Sequence, residues 1–150
     1  MPIKPENRHK YPADWKAISH AARERAGWKC QHPGCTARQY AVGVWRLIGG
    51  AHSWTELVEP QESWSASRQR AAEEHWRMFG DEYGDERPIV IVLTVAHLNH
   101  DPADCRPENL AAMCQRHHLA YDHNHHRANA QATRRAKSGT LELFGEDADA

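Results

Sequence analysis

An α+β fold is predicted for this chain from three observations. A β-branched run, Ile89–Leu98, reads as a strand and is followed by a polar, histidine-rich stretch that reads as a helix from His117. Near the N-terminus, Trp15, Ile18 and Ala22 recur at helical spacing. Two short pairs of metal-ligand type, Cys30/Cys35 and Cys114/His117, stand far apart in sequence. One ion shared between them would join the two ends of a small domain.

The chain has 150 residues, 40% hydrophobic and 26% charged, enough for one domain with a modest core. No stretch approaches the ~18 apolar residues of a membrane helix. The start, MPIKPENRHK, has no apolar segment behind its basic residues, so no secretory signal is expected. The expected location is the cytoplasm, with no membrane partner. In a reducing compartment, four Cys among twelve His read as metal ligands before disulfides.

Net charge is −1, but it is uneven. Residues 1–46 hold nine Lys/Arg against three Asp/Glu, and residues 47–87 hold four against nine. Residues 88–137 hold six against four, and the last thirteen hold none against four. A uniformly basic DNA-coating protein is thereby excluded. A local basic face built from both ends of the domain is not.

In chain order, residues 1–13, with three prolines, predict an extended arm. Asp14 is placed to cap a helix over 14–26, which Gly27 ends. Cys30-Gln-His-Pro-Gly-Cys35 then sets two thiols around a Pro-Gly turn that aims both sulfurs to one side, as a zinc knuckle does. Cys114-Gln-Arg-His117 supplies the second half of a tetrahedral set, and His32 inside the knuckle is a competing ligand. Residues 47–87 read as an insertion between the half-sites. Val42, Val44, Leu47 and Ile48, with Trp45, suggest a short strand or an irregular core segment, broken by Gly49-Gly50.

A helix is predicted over Ser63–Phe79, capped by Ser63, Ser65 or Ser67, with Ala71, Ala72, His75, Trp76 and Phe79 on one stripe and Gly80 and Gly84 ending it. Trp54, Trp64 and Trp76 read as core rather than as a ligand platform. Residues 89–137 form the remaining core: the strand Ile89–Leu98, a loop over Asn99–Glu108, a returning strand Leu110–Met113, and a helix from His117 to about Lys137. A tail over 138–150 follows, in which Leu141, Leu143 and Phe144 could dock.

Phosphodiester cleavage needs an activated water and stabilisation of the leaving 3′-oxygen. A neutral His accepts a proton from water near pH 7, and one divalent ion offsets charge on the phosphate and the leaving oxygen. His97 closes the predicted strand. His118, Asp122 and His126, spaced i, i+4, i+8, share one helical face. A zinc ion at the start of that helix would hold such groups rigidly.

This arrangement resembles the HNH endonuclease family, the zinc-supported ββα-metal nucleases. The resemblance rests on C-x4-C at Cys30/Cys35, V-A-H-L at Val95–Leu98, E-N-L at Glu108–Leu110 and M-C-Q-R-H-H-L at Met113–Leu119. D-W-K-A-I-S at Asp14–Ser19 and L-E-L-F at Leu141–Phe144 are similar to the small HNH proteins common in bacteriophage genomes. It covers about 14–46 and 89–144.

The resemblance implies that His97 is the general base, that Asn109 braces the loop and orients His97, and that His118, with Asp122 one turn on, binds a catalytic Mg²⁺, Mn²⁺ or Ni²⁺. Cys30, Cys35, Cys114 and His117 would hold structural Zn²⁺, His117 standing where many relatives have Cys. The implied partner is DNA in a bacterial or phage-infected cell. It would be held mainly through its phosphates by Arg127, Arg134, Arg135 and Lys137, with Arg23, Arg25 and Lys29 adding charge.

One departure is Ala96, where the family usually carries a metal-binding Asp, His or Glu. Asp122, Asp101, His100 or water would have to fill that place. The alternative expectation is a catalytically weakened HNH-fold zinc module that binds nucleic acid or a host protein, as a phage accessory or anti-defence factor. Cys105, without a partner at metal spacing, reads as a free thiol. Oligomeric state is left open, a monomer included.

Overall fold

The computed structural model describes residues 3, 5–62, 65–83 and 86–137. The chain is α+β. It divides into two compact units, residues 1–117 and 118–150. No helix among the described residues is long and apolar enough to cross a membrane.

In the first unit, residues Pro5–Lys10 form a 3-10 helix where an extended arm is expected. Helix α1 (Trp15–Arg25) follows. Asp14 stands at its N-cap position but makes no side-chain capping bond; its φ/ψ of −93°/17° lies outside the extended region from which a cap side chain turns back. Gly27, at φ 65°, ends the helix, and its N–H bonds Glu24 O. Ala22 is buried, and α1 packs on the strands at Thr94–His97 and Leu110–Met113.

Strands β1 (Val42–Ile48) and β2 (Ala51–Val58) form an antiparallel hairpin. Gly49 and Gly50, at φ 60° and 83°, supply the two left-handed positions that a two-residue hairpin turn needs. The glycine pair therefore reverses a sheet, where the sequence suggests only the end of a strand. The 47–87 segment thus contains a strand as well as a helix.

Helix α2 (Ala66–Tyr83) starts one turn later than its predicted first residue. Ser65 meets its first turn, with Arg68 N donating to Ser65 Oγ at 3.4 Å. Gly80 does not end α2; the helix kinks at Phe79 and continues to Tyr83. Of its predicted stripe, Ala72 is fully buried, against Val42, Val58 and Val90. Arg68, buried on α2, donates from Nη2 to Tyr40 O and Glu59 O, each at 2.8 Å, and so ties the helix to the ends of the hairpin. Ser63, Trp64 and Gly84 lie outside the described residues.

The run Ile89–Leu98 is two strands rather than one. Strand β3 (Ile89–Val90) pairs with β1, giving a sheet ordered β2-β1-β3. Ile91 then exchanges backbone bonds with Tyr40 and Ala41, and Leu93 N donates to Gln39 Oε1 at 2.6 Å. Strand β4 (Thr94–His97) next pairs with β5 (Leu110–Met113) in a second, two-stranded sheet. Ile91 and Leu93 are buried throughout the change of partner. A continuous apolar run is compatible with either arrangement, because burial on all sides erases the alternation that would mark one sheet face.

The main core joins Cys30, Ala37, Ala41, Trp45, Trp54, Ile91, Leu93, Ala96, Met113 and Cys114. Helix α3 (Gln115–Lys137) begins in the first unit and makes up the described part of the second. The tail residues, Leu141, Leu143 and Phe144 included, lie outside the described residues.

Gly43 in β1 has no room for a side chain: a Cβ would stand 2.2 Å from Thr55 O and 2.7 Å from the Trp54 ring. Gly43→Ala is expected to destabilise the protein by about 1–3 kcal/mol, as overpacking does. Thermal melting checks this, and an unchanged midpoint would show that β1 and β2 yield easily.

Candidate metal centre and the β4–β5 hairpin

The two Cys/His pairs meet. Cys30 Sγ, Cys35 Sγ, Cys114 Sγ and a ring nitrogen of His117 all lie within 4.8 Å of one another. His117 Nδ1 is 3.6 Å from Cys30 Sγ and 3.2 Å from Cys114 Sγ. Backbone bonds shape the approach. Cys35 N donates to His32 O at 3.0 Å, which closes the knuckle turn, and Cys30 N donates to Ala37 O at 2.9 Å. Gln31 stitches the knuckle to β5, its N donating to Ala112 O and its Oε1 accepting from Ala112 N, both at 2.8 Å. Cys114 leaves β5 as the chain enters α3, so His117 falls in the helix's first turn.

Three sulfurs and one imidazole make a donor set that could hold a metal ion. Tetrahedral Zn²⁺, with sulfur at about 2.3 Å and nitrogen at about 2.0–2.1 Å, places neighbouring donors about 3.6–3.8 Å apart. The observed separations differ from that geometry by at most about 1 Å. The electrostatics agree. Hydrogen bonds from Cys114 and Cys35 pull the Cys30 thiol well below its ordinary range, while hydrogen bonding to Cys30 and Cys35, with burial, pushes Cys114 far above it. One thiolate here is stabilised by two thiols, and a bound cation would let the others ionise too.

His32, the competing ligand, is outside this cluster. Its ring stacks on His117 at 3.8 Å, nearly parallel, and its Nδ1 faces Pro33 O at 3.1 Å. Trp45 meets the His117 ring edge-on at 5.5 Å. Neither packing contact has a signature in linear spacing.

The second constellation is on the β4–β5 hairpin. His97 closes β4 opposite Leu110, and Asn109 precedes β5. Asn109, 7% exposed, donates from Nδ2 to Asn99 Oδ1 at 2.9 Å and to Asp104 O at 2.8 Å, and its Oδ1 accepts from Asn99 N at 3.1 Å. It also accepts at its backbone oxygen from Leu98 N. One side chain thus holds the connecting loop at both ends. Within that loop Arg106 bonds Asp104 at two points and holds its carboxyl at about 2, well below the usual range.

His97 is only 9% exposed. Trp15 stacks on its ring at 4.9 Å, Tyr11 meets it edge-on at 5.8 Å, and Cys105 Sγ lies 3.7 Å from its Nε2. Cys105 is indeed a free thiol, but not an isolated one. Burial, and the charges of Asp104, Asp14 and Asp101, push its pKa up, so it stays a neutral neighbour of His97. Ala96 belongs to the main core, its side chain packed among apolar residues. Strand alternation explains why neighbours as different as Ala96 and His97 serve different faces. Asp101 is engaged in its own loop turn, accepting from Ala103 N at 3.0 Å, and His100 sits at φ 59°.

In the second unit, His118 Nε2 is 3.0 Å from Asp122 Oδ2, and His126 Nε2 is 3.9 Å from the same oxygen. Burial lowers the pKa of His118, against the pull of Asp122, which favours a neutral imidazole. Arg127, Arg134, Arg135 and Lys137 are all exposed along α3. No family model, curated protein or solved structure matches the chain.

Cys114→Ser is expected to release bound metal and cost several kcal/mol of stability, roughly 10 °C or more in melting temperature for a chain of this size. Metal content and melting curves of the variant check this; full retention of both would reject a metal centre. Because thiol ligands must lose their protons to bind, metal affinity falls as pH falls. Release on acidification, followed with a chromophoric chelator, tests that sign.

Proposed function

We propose that this protein is a metal-dependent endonuclease or nickase of the HNH type, with Zn²⁺ on Cys30, Cys35, Cys114 and His117 as its scaffold. The observation that carries the reading is the order of parts on one continuous segment. A strand ends in His97, Asn109 clasps the loop behind it, a returning strand reaches Cys114, and a helix opens with His117 and His118.

In this reading His97 takes a proton from water as the water oxygen attacks phosphorus and the bond to the 3′-oxygen breaks. Asn109 keeps the loop, and through it the end of β4, in one conformation. His118 and Asp122 hold a Mg²⁺, Mn²⁺ or Ni²⁺ ion, which when bound supplies charge stabilisation to the phosphate and the leaving oxygen. Arg127, Arg134, Arg135 and Lys137 offer cations to DNA phosphates, contacts that position the substrate without reading its sequence.

Two observations favour a second reading, a zinc-stabilised module that binds nucleic acid or a host protein without efficient cleavage. Ala96 faces the core, so no ligand stands before His97. The imidazole is covered by Trp15, Tyr11 and Cys105, and a general base needs a path to water.

Plasmid cleavage separates the two readings. Wild-type protein is expected to nick or linearise DNA with Mg²⁺, Mn²⁺ or Ni²⁺. His97→Ala is expected to lower the rate by about a hundred- to ten-thousand-fold with zinc content unchanged. Cleavage at full rate in that variant would end this mechanism. Folded, zinc-loaded wild type that cuts nothing would leave the binding module.

A further inference from the structure

Outside these constellations, the outer face of α1 carries a groove of about 560 Å³ lined by Asp14, Lys16, Ala17, His20 and Arg23. Lys16, His20 and Arg23 follow at i, i+4 and i+7, so they form one stripe along the helix. Lys16 and His20 are exposed, and Arg23 is half-buried. At 1.5 Å rise per residue, Lys16 and Arg23 are about 10 Å apart along the axis. Two cations that far apart meet different phosphates of one strand rather than sharing one. The surrounding segment is the most basic in the chain, with nine Lys/Arg against three Asp/Glu over residues 1–46.

The aromatic beside this stripe is the second observation. Trp28 meets the His20 ring edge-on at 5.1 Å, and the Arg23 guanidinium lies over its ring at 5.7 Å. Trp28 has φ 57°, a left-handed backbone that a bulky residue adopts at a cost. Its backbone is held there because its N–H bonds Arg23 O at 3.0 Å and its oxygen accepts from Gln39 N at 2.9 Å. Neither bond needs an indole, and Asn or Gly would suit that conformation better. The ring is therefore surplus to the turn's geometry. Cations with an adjacent aromatic, on a half-open groove, are the features of a surface that binds a single nucleic-acid strand. An acidic peptide would use the cations but not the ring.

We propose that the α1 groove binds a single nucleic-acid strand, with phosphates on Lys16 and Arg23 and a base stacked on Trp28. The identity of the polyanion rests on the nucleic-acid reading above; of the groove residues that reading uses only Arg23, as added charge, and it gives none of them a catalytic or metal-binding part. Helix α1 packs on β4 and β5, so a strand held there runs along the element that supports the His97 hairpin.

The test is fluorescence anisotropy of zinc-loaded protein with labelled oligothymidylate and a labelled duplex, without added Mg²⁺, Mn²⁺ or Ni²⁺. The double variant K16A/R23A is expected to weaken oligothymidylate binding at least tenfold and to flatten the log–log salt slope by about 1.4, two contacts at about 0.7 each. Trp28→Asn is expected to weaken it by about five- to hundredfold with no loss of melting temperature, since Asn tolerates the left-handed backbone. Variants that bind as wild type does, or wild type that binds neither probe, would overturn the proposal. So would a preference for duplex that ignores Trp28→Asn. Failure of the nuclease reading looks different: oligothymidylate binding that the variants remove, in a protein that cuts no plasmid, supports the groove and ends the nuclease. Plasmid cleavage with KM unchanged in K16A/R23A does the reverse.

Discussion

Three thiols and an imidazole drawn into one small volume constrain the rest of the first unit. Cys30 and Cys114 are 84 positions apart, yet the Cys114 N–H donates to Cys30 Sγ at 3.3 Å. A contact of such sequence separation closes a long loop, and the entropy lost in closing it has to be recovered by what is formed there. Part of the recovery is visible without any ion, in the Gln31–Ala112 bonds and in the core around both cysteines. A cation held by the cluster would add to it. Each thiol that ionises raises the cost for its neighbours, so the cluster balances best around a cation.

From that junction the β4–β5 hairpin takes its position. Met113, Ala96 and Ala111 carry the core on one side of the hairpin, while its open end carries His97 and Asn109. Asn109 and the Arg106–Asp104 pair stiffen the loop, and Trp15 and Tyr11 close over His97 from the N-terminal segment. The same packing that fixes the imidazole also screens it from solvent. Order and access therefore oppose each other at His97, and the nuclease and binding-module readings differ in which of the two prevails.

Much of the frame was legible in the sequence because it depends on local signals. Helix α1 followed from the spacing of Trp15, Ile18 and Ala22 and from Gly27, and β5 and α3 followed from their own periodicity and propensity. The Cys/His pairs were legible because a tetrahedral ion needs short, turn-separated half-sites. Strand β2 carries no such local signal: AHSWTELV lacks a clean apolar alternation, and its pairing depends on Gly49-Gly50 turning as a hairpin. Ile89–Leu98 reads as one strand because a fully buried run carries no mark of where it changes partners. Arg68 gave no signal as a core residue, since its acceptors are backbone oxygens of Tyr40 and Glu59.

The sequence by itself determined the α+β class, the helices at both ends and the four residues able to share an ion. These are set by nearest-neighbour geometry and by ligand chemistry, which short windows contain. Only the tertiary structure decided which residues meet: His32 stacked on His117 rather than joining the ligands, Cys105 and Trp15 against His97, and Ala96 turned into the core. Such contacts arise from chain reversals and sheet pairings between distant segments. Residue spacing along the chain holds no record of them.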